Sequence, residues 1–286
     1  MGSRARVVLY APNEPAAARA AADAFEEMAR LEAVMSDYRP DSEAMRLCAK
    51  SPKVWHPVSR DLLGVLGLSE RVWAASNGAF DVTVGPMTRR WRESRKAGTL
   101  PTESELADLR DRVGFGSLMI STLNSSVKLD RRGMSLDFGG VGKGYAAQAA
   151  VDRLTGLGHP ECLVEIGGDL AIGAAPPGKR GWSIAIETGL GEGDREDLRL
   201  HDVGVATSGD AEQFVEIQGV RYSHIVDPKT GLGLTERIAV TVTADRSAGG
   251  GGMADAAASA ISVLGAERGQ AFAKKLGVRA FIVRSE

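Results

Sequence analysis

The sequence predicts an α+β fold with mixed or antiparallel sheets and packed helices, on three observations. Helix-period and strand-period segments both occur along the whole chain. They do not alternate regularly as β-α-β, which a doubly wound sheet would require. Residues 162–187 read as consecutive strands with no helix between them. At 286 residues the chain has length for one large domain or two modest ones and for a core that needs no staples. Thirty-five Lys and Arg against 37 Asp and Glu leave a formal charge of −2, which offers no basic surplus to a nucleic acid or an anionic membrane. Cys48 and Cys162 are the only cysteines, too few for a disulfide framework and outside any C-x-x-C pair. No run of about 18 apolar residues occurs, and residues 1–10 lack the apolar centre of a secretory signal.

Taken in order, residues 7–10 predict a first strand, and residues 15–34 a helix through the apolar spacing of Ala18, Ala21, Ala22, Phe25, Met28, Ala29 and Leu31. Tyr38 falls in a turn with Pro40; it is able to stack on a flat ligand or to close the loop over the core. Ser42-Glu43 opens a short helical piece. Residues 59–76 predict an amphipathic helix with Leu62, Leu63, Leu66, Val72, Trp73 and Ala74 buried and Gly78 as its stop. Ala79-Phe80-Asp81 follows, with Asp81 as a cap or turn residue, before a turn at Gly85-Pro86. Thr102 and Glu105 have the spacing of a capping box at the head of a helix to about Val113. Residues 127–130 and 134–137 predict a hairpin about Arg131-Arg132-Gly133.

A Gly167-Gly168-Asp169 corner separates two of the consecutive strands, and residues 189–197 form a charged loop. Residues 203–209 are extended, residues 214–226 predict a hairpin about Gln218-Gly219, and residues 238–244 a further strand. A glycine tract at 249–252 leads into a helix over 253–264, and a last helix and strand end the chain.

The chemistry concentrates in residues 134–154, MSLDFGGVGKGYAAQAAVDRL. Asp137 ends an extended run, and Gly139, Gly140, Gly142 and Gly144 permit close approach of a ligand. Lys143 lies among them, and helical periodicity starts at Tyr145. A helix N-terminus with free N–H groups suits an anion such as a phosphate. It is not a Walker A loop, because Asp137 holds the first glycine's place and Gly144 the hydroxyl's. Nor is it a dinucleotide fingerprint, whose third glycine would fall at Tyr145. A glycine turn that only packs a helix on a strand is the competing reading. Asp255 and Ser259, four apart on a helix, share a face; with a backbone carbonyl they make an oxygen shell suited to Mg²⁺. The alternative is an Asp favouring the helix dipole beside a small packing residue.

Together and in order, Met1-Gly2-Ser3, MSDYRPDSEAMRL, GAFDVTVGP, MSLDFGGVGKGYAAQ, LVEIGGDL, GVATSGD, HIVDPKTG and ADAAASA resemble the ApbE family of FAD:protein FMN transferases. The resemblance extends from Met1 to about Gly265 and implies a single FAD-binding domain over residues 1–286 with an ApbE-like, T-fold-type architecture. It implies an enzyme that cleaves the FAD pyrophosphate with Mg²⁺, attaches FMN to a threonine of an acceptor flavoprotein and releases AMP. By motif, Met1, Tyr38, Ala79, Phe80 and Asp81 would line the FAD site, and Asp137, Lys143 and Val226 would contact the flavin nucleotide. Gly140, Asp255 and Ser259 would hold Mg²⁺, and His224 would be the base. The acceptor would be a membrane redox subunit or a similar protein. A hydrolase yielding FMN and AMP and a non-catalytic FAD carrier are the alternatives. Ser259 replaces the family's usual threonine, from which weaker metal binding is expected, and the usual proline after the Asp227-Pro228-Lys229-Thr230-Gly231 turn is absent. Family members commonly carry a leader, so a cell-envelope location is expected if one was removed and a cytoplasmic one otherwise.

Overall fold

The structure, a computed structural model, describes residues 3–187, 195–209 and 213–284. From the amino end come β1 (Ala5–Leu9), α1 (Glu14–Met35), α2 (Glu43–Cys48), β2 (His56–Pro57), α3 (Arg60–Ala75), α4 (Gly85–Ala97) and α5 (Glu103–Arg110). Next are β3 (Leu118–Ser121), β4 (Ser126–Leu129), α6 (Gly142–Gly156), β5 (Cys162–Ile166), β6 (Asp169–Ile172), β7 (Trp182–Glu187) and β8 (Arg195–Leu200). The remainder is β9 (Val203–Ser208), β10 (Phe214–Ile217), β11 (Val220–Ser223), β12 (Ile238–Asp245), α7 (Gly250–Leu264), α8 (Ala266–Leu276) and β13 (Arg279–Arg284).

Side chains fix several helix starts, because the first N–H groups of a helix need acceptors. Asn13, Ser42 and Ser59 accept from the backbone N–H three residues on, at 3.0, 3.1 and 3.2 Å. Thr102 and Glu105 close the reciprocal capping box that their spacing predicts.

A six-stranded antiparallel sheet in the order β1-β5-β6-β9-β12-β13 forms the centre. Strand alternation divides its side chains between two layers. Val164, Ala171, Ala206, Val240 and Val242 face α6 and α7, which lie on one side with α1 over α6 and α3 over α7. Leu163, Ile172 and Val205 face the opposite side, where the β7–β8 ribbon covers them with Ile186, Trp182, Leu198 and Leu200. A smaller core of Met87, Trp91, Val113, Ile217 and Val226 joins α4 to the β10–β11 hairpin. Trp91 Nε1 ties the two by donating to the Ser223 carbonyl at 2.9 Å.

Four expectations are corrected. The Gly85-Pro86 turn is the first turn of α4, with proline where its missing N–H costs nothing. Residues 127–130 and 134–137 do not form a hairpin: β4 pairs with β3 and β2, while Ser135 bridges to Val84 and Asp137 N–H donates to the Val82 carbonyl at 2.8 Å. The true β3–β4 turn carries Leu123, 92% exposed, an apolar residue where turn chemistry calls for a polar one. On α3 the buried face includes Val65 and Ser69, whereas Ala74 is exposed. Finally, α6 and α7 start at Gly142 and Gly250, so Gly142 and Gly144 of the first tract and Gly250 to Gly252 of the second lie inside the helices, earlier than expected. Of the charged loop at 189–197, residues 195–197 belong to β8 and the rest lies outside the described residues.

Candidate active site

The stretch 137–144 is held at three points by three different parts of the fold. At its start, the buried Asp137 carboxylate takes its own turn and a helix in hand together. Oδ1 accepts from Gly139 N–H at 2.7 Å, and Oδ2 accepts from Thr88 Oγ1 at 2.6 Å and Arg92 Nη2 at 3.1 Å. Thr88 and Arg92 are four apart on α4, so one face of that helix delivers both donors. Arg92 also pairs through Nη1 with Asp37 and lies over the Tyr38 ring, 4.5 Å from its centroid. Burial, with Asp137 close by, raises the Asp37 carboxyl above its ordinary range against the pull of Arg92.

In the middle, Ser259 Oγ on α7 donates to the Gly140 carbonyl at 3.4 Å. A Cβ at position 140 would stand 2.7 Å from that hydroxyl and 3.4 Å from the Phe80 ring, so only glycine brings carbonyl, hydroxyl and ring this close. At the far end, Lys143 in the first turn of α6 reaches between two buried carboxylates. Its Nζ is in ion-pair contact with Asp169 and 3.7 Å from Asp255. Burial works against the Lys143 ammonium, but Asp255 and Asp169 outweigh it and hold its pKa above the usual lysine range. Burial and the Asp255 charge push Asp169 upward despite that lysine.

The β5–β6 hairpin presents Asp169 through a two-residue turn, Gly167-Gly168, whose φ values of +57° and +92° suit glycine at both positions. Asp255 comes from α7, which crosses α6 at glycine-on-glycine distance. A Cβ on Gly144 would strike the Gly251 carbonyl and come 2.8 Å from Asp255 Cβ, and a Cβ on Gly204 of β9 would strike the backbone of Gly250 and Gly251. This close crossing lets Asp255 Oδ2 accept the Gly144 N–H at 3.1 Å.

The predicted residues therefore divide. Asp137, Gly140, Lys143, Asp255, Ser259 and Phe80 gather along one stretch, and Tyr38 joins them through Arg92. Asp81 is engaged otherwise: Oδ1 accepts from Thr83 N and Oγ1 at 2.8 and 2.6 Å, and Oδ2 from Phe115 N at 2.9 Å. Burial raises its pKa against those hydrogen bonds. Ala79 is buried beside Phe80, and Val226 is buried in the α4–hairpin core. His224 follows β11, and its Nδ1 lies 3.2 Å from the Gln213 carbonyl. Met1 lies outside the described residues; Ser3 packs where a Cβ on Gly167 would also meet Lys143 Cδ.

Sequence reasoning missed Asp169, Thr88, Arg92 and Asp37. The signals were a carboxylate directly after a two-glycine turn, and a threonine and arginine four apart behind a Gly-Pro helix start.

The oxygens of Asp255, Ser259 and Gly140 form a donor set for a hard cation. Among the described residues no three His, Cys, Asp or Glu side chains converge as a metal site. A single carboxylate completed by hydroxyl, carbonyl, water and substrate is the pattern Mg²⁺ accepts and a tighter cage ion does not. The residues fit that ion.

A sequence model of the ApbE family matches residues 1–282. The chain belongs to the ApbE family. It is 33% identical over 244 residues to the FAD:protein FMN transferase of Vibrio cholerae serotype O1, spanning 84% of this chain and 72% of that one. It is 31% identical to the protein of the same name from Treponema pallidum, over 99% of this chain and 82% of that one. Among solved structures, the flavin transferase ApbE from Vibrio cholerae has a TM-score of 0.87 and 29% identity, covering 100% of this chain and 91% of that one. The Pseudomonas stutzeri flavinyl transferase ApbE, apo form, has a TM-score of 0.85 and 28% identity over 99% and 92%. As an ApbE-family member of this α+β architecture, the chain is an enzyme of the transferase class.

Proposed function

We propose that the chain is a Mg²⁺-dependent FAD:protein FMN transferase that joins FMN through a phosphoester bond to a threonine of an acceptor flavoprotein and releases AMP. The observation that carries this reading is the pinning of residues 137–144. One short stretch brings a lysine, an oxygen donor set and a buried carboxylate into register, which a glycine turn serving only to pack a helix does not require.

In the reaction the threonine Oγ attacks the FMN phosphorus of the FAD pyrophosphate. The new O–P bond forms as the P–O bond to AMP breaks, and the electron pair leaves on the AMP oxygen. His224 takes the hydroxyl proton as general base. Lys143, held cationic by Asp169 and Asp255, supplies a fixed positive charge for the pyrophosphate oxygens. Asp255, Ser259 and the Gly140 carbonyl would hold Mg²⁺, which would supply positive charge for the pyrophosphate oxygens. Tyr38 offers its exposed ring to the isoalloxazine, and Asp137 contacts the flavin-nucleotide half of the substrate.

Incubation with FAD, Mg²⁺ and an acceptor domain bearing a flavinylation threonine tests this directly by intact mass. Addition of one FMN mass to the acceptor, lost with a chelator and lost when that threonine is changed to valine, is the expected result. Free FMN and AMP with no acceptor adduct would make the enzyme a hydrolase instead. FAD that stays tightly bound and intact with Mg²⁺ present, across several acceptor domains, would make it a carrier.

A further inference from the structure

The clamp on Asp137 includes Arg92, to which the proposed reaction gives no part. Arg92 sits where α4, the end of α1 and the stretch before α6 meet, and its guanidinium is used on three sides. One edge pairs with Asp37, another donates to Asp137 Oδ2 at 3.1 Å, and the face covers the Tyr38 ring at 4.5 Å. A rigid plane of donors with a free π-face can do all three at once, and the point charge of a lysine cannot.

We propose that Arg92 is a positioning and specificity-determining residue for the flavin half of the substrate, locking the Tyr38 ring and the Asp137 carboxylate in one fixed relation; this rests on reading Tyr38 and Asp137 as flavin-nucleotide contacts. Tyr38 remains 73% exposed although a cation covers one of its faces. A bridge built only for stability would be expected to bury that ring, because its apolar area is where the gain lies. Here the ring is instead held out to solvent on a fixed backing, with its second face open to a flat partner. Asp37, adjacent to Tyr38 in the chain, anchors the backbone at the ring's root through the same guanidinium. Thr88, one turn earlier on α4, donates at 2.6 Å into the Asp137 oxygen that Arg92 also uses. Ring and carboxylate are thus both tied to α4 through one guanidinium. An aromatic platform ordered in advance leaves less side-chain entropy to be lost when ligand binds.

The test is calorimetric affinity for FAD and for ADP, which lacks the flavin, with wild type, Arg92→Ala, Arg92→Lys, Tyr38→Ala and the Tyr38→Ala/Arg92→Ala double variant. Both Arg92 variants should weaken FAD by about 5- to 30-fold, the factor that one to two lost interactions of this kind carry. ADP affinity should hold within about twofold, and in the Tyr38→Ala background the loss on removing Arg92 should shrink to less than half of its value in the wild type. A merely structural arginine would lower FAD and ADP affinity together, and that result overturns the inference. So does wild-type FAD affinity in Arg92→Ala, which would leave the flavin site itself standing. Absence of FAD binding by the wild type would overturn the site reading and this inference with it. Should Arg92→Ala fail to fold, Arg92→Lys keeps the charge among the carboxylates and decides the question alone.

Discussion

Replacing Gly144 by alanine tests the crossing on which the site is built. Alanine adds one methyl in a helix where it is otherwise the better residue by about 0.8–1.0 kcal/mol. Here that methyl meets the Gly251 carbonyl oxygen, with the Gly251 carbonyl carbon at 2.6 Å and Asp255 Cβ at 2.8 Å. The nearest obstacles are backbone, so no rotamer change relieves them; α6 and α7 must separate. Yet α7 is held from its other side by β9, where Gly204 abuts the backbone of Gly250 and Gly251. Overpacking of a tight core costs about 1–3 kcal/mol, and a clash with trapped backbone belongs at the top of that range or above it. After the propensity gain, a net loss of about 2 kcal/mol remains. At about 2–4 °C per kcal/mol for a large domain, the melting temperature should fall by about 4–8 °C. Gly67 is the matched control: it lies inside α3, its φ is outside the left-handed region, and an added Cβ meets nothing within 4 Å. Gly67→Ala should be neutral or stabilise by up to about 1 kcal/mol. Thermal and urea unfolding of the two variants decide the matter. If Gly144→Ala is as harmless as Gly67→Ala, the glycine crossing does not exist as described.

Other expectations follow from the same contacts. Asp81→Asn keeps the side chain's shape but sets an amide N–H₂ against Phe115 N–H or the Thr83 donors, and should cost about 1–3 kcal/mol in urea unfolding; an unchanged midpoint would remove Asp81 from its capping role. Asp255→Asn retains an acceptor for Gly144 N–H while removing the charge, so Mg²⁺-dependent turnover of FAD should be lost with little change in melting temperature, and undiminished turnover would dismiss the metal assignment. His224→Ala should slow FMN transfer by about 10²–10⁴-fold with FAD affinity nearly unchanged, and a loss under about tenfold would return His224 to a structural role. Burial pushes the Cys162 thiol up to about 12 and leaves it 0% exposed. It should therefore resist a disulfide reagent at a pH of about 8 until the protein is unfolded, and rapid native labelling would contradict that burial.

Local chemistry made much of this protein legible in its sequence. The period of its apolar residues located α1 and α3, and Ser42, Ser59 and the Thr102/Glu105 pair marked helix starts, because capping is a contact between near neighbours. The absence of β-α-β alternation gave the antiparallel character of the sheet. The glycine-rich stretch and the Asp255/Ser259 pair were visible as candidates by spacing alone. Tertiary structure decided the rest. Whether residues 134–137 turn back on β4 or bridge to 82–84 depends on segments about fifty residues away, and Arg92 acquires its meaning only when Asp37 and Asp137 arrive on either side of it. Lys143 could be read as a cation near a helix start, but not as one fixed between Asp169 and Asp255. Those partners are carried by a hairpin turn and by a helix more than a hundred residues further on, at a crossing whose closeness is set by the missing side chains of Gly144, Gly204 and Gly251.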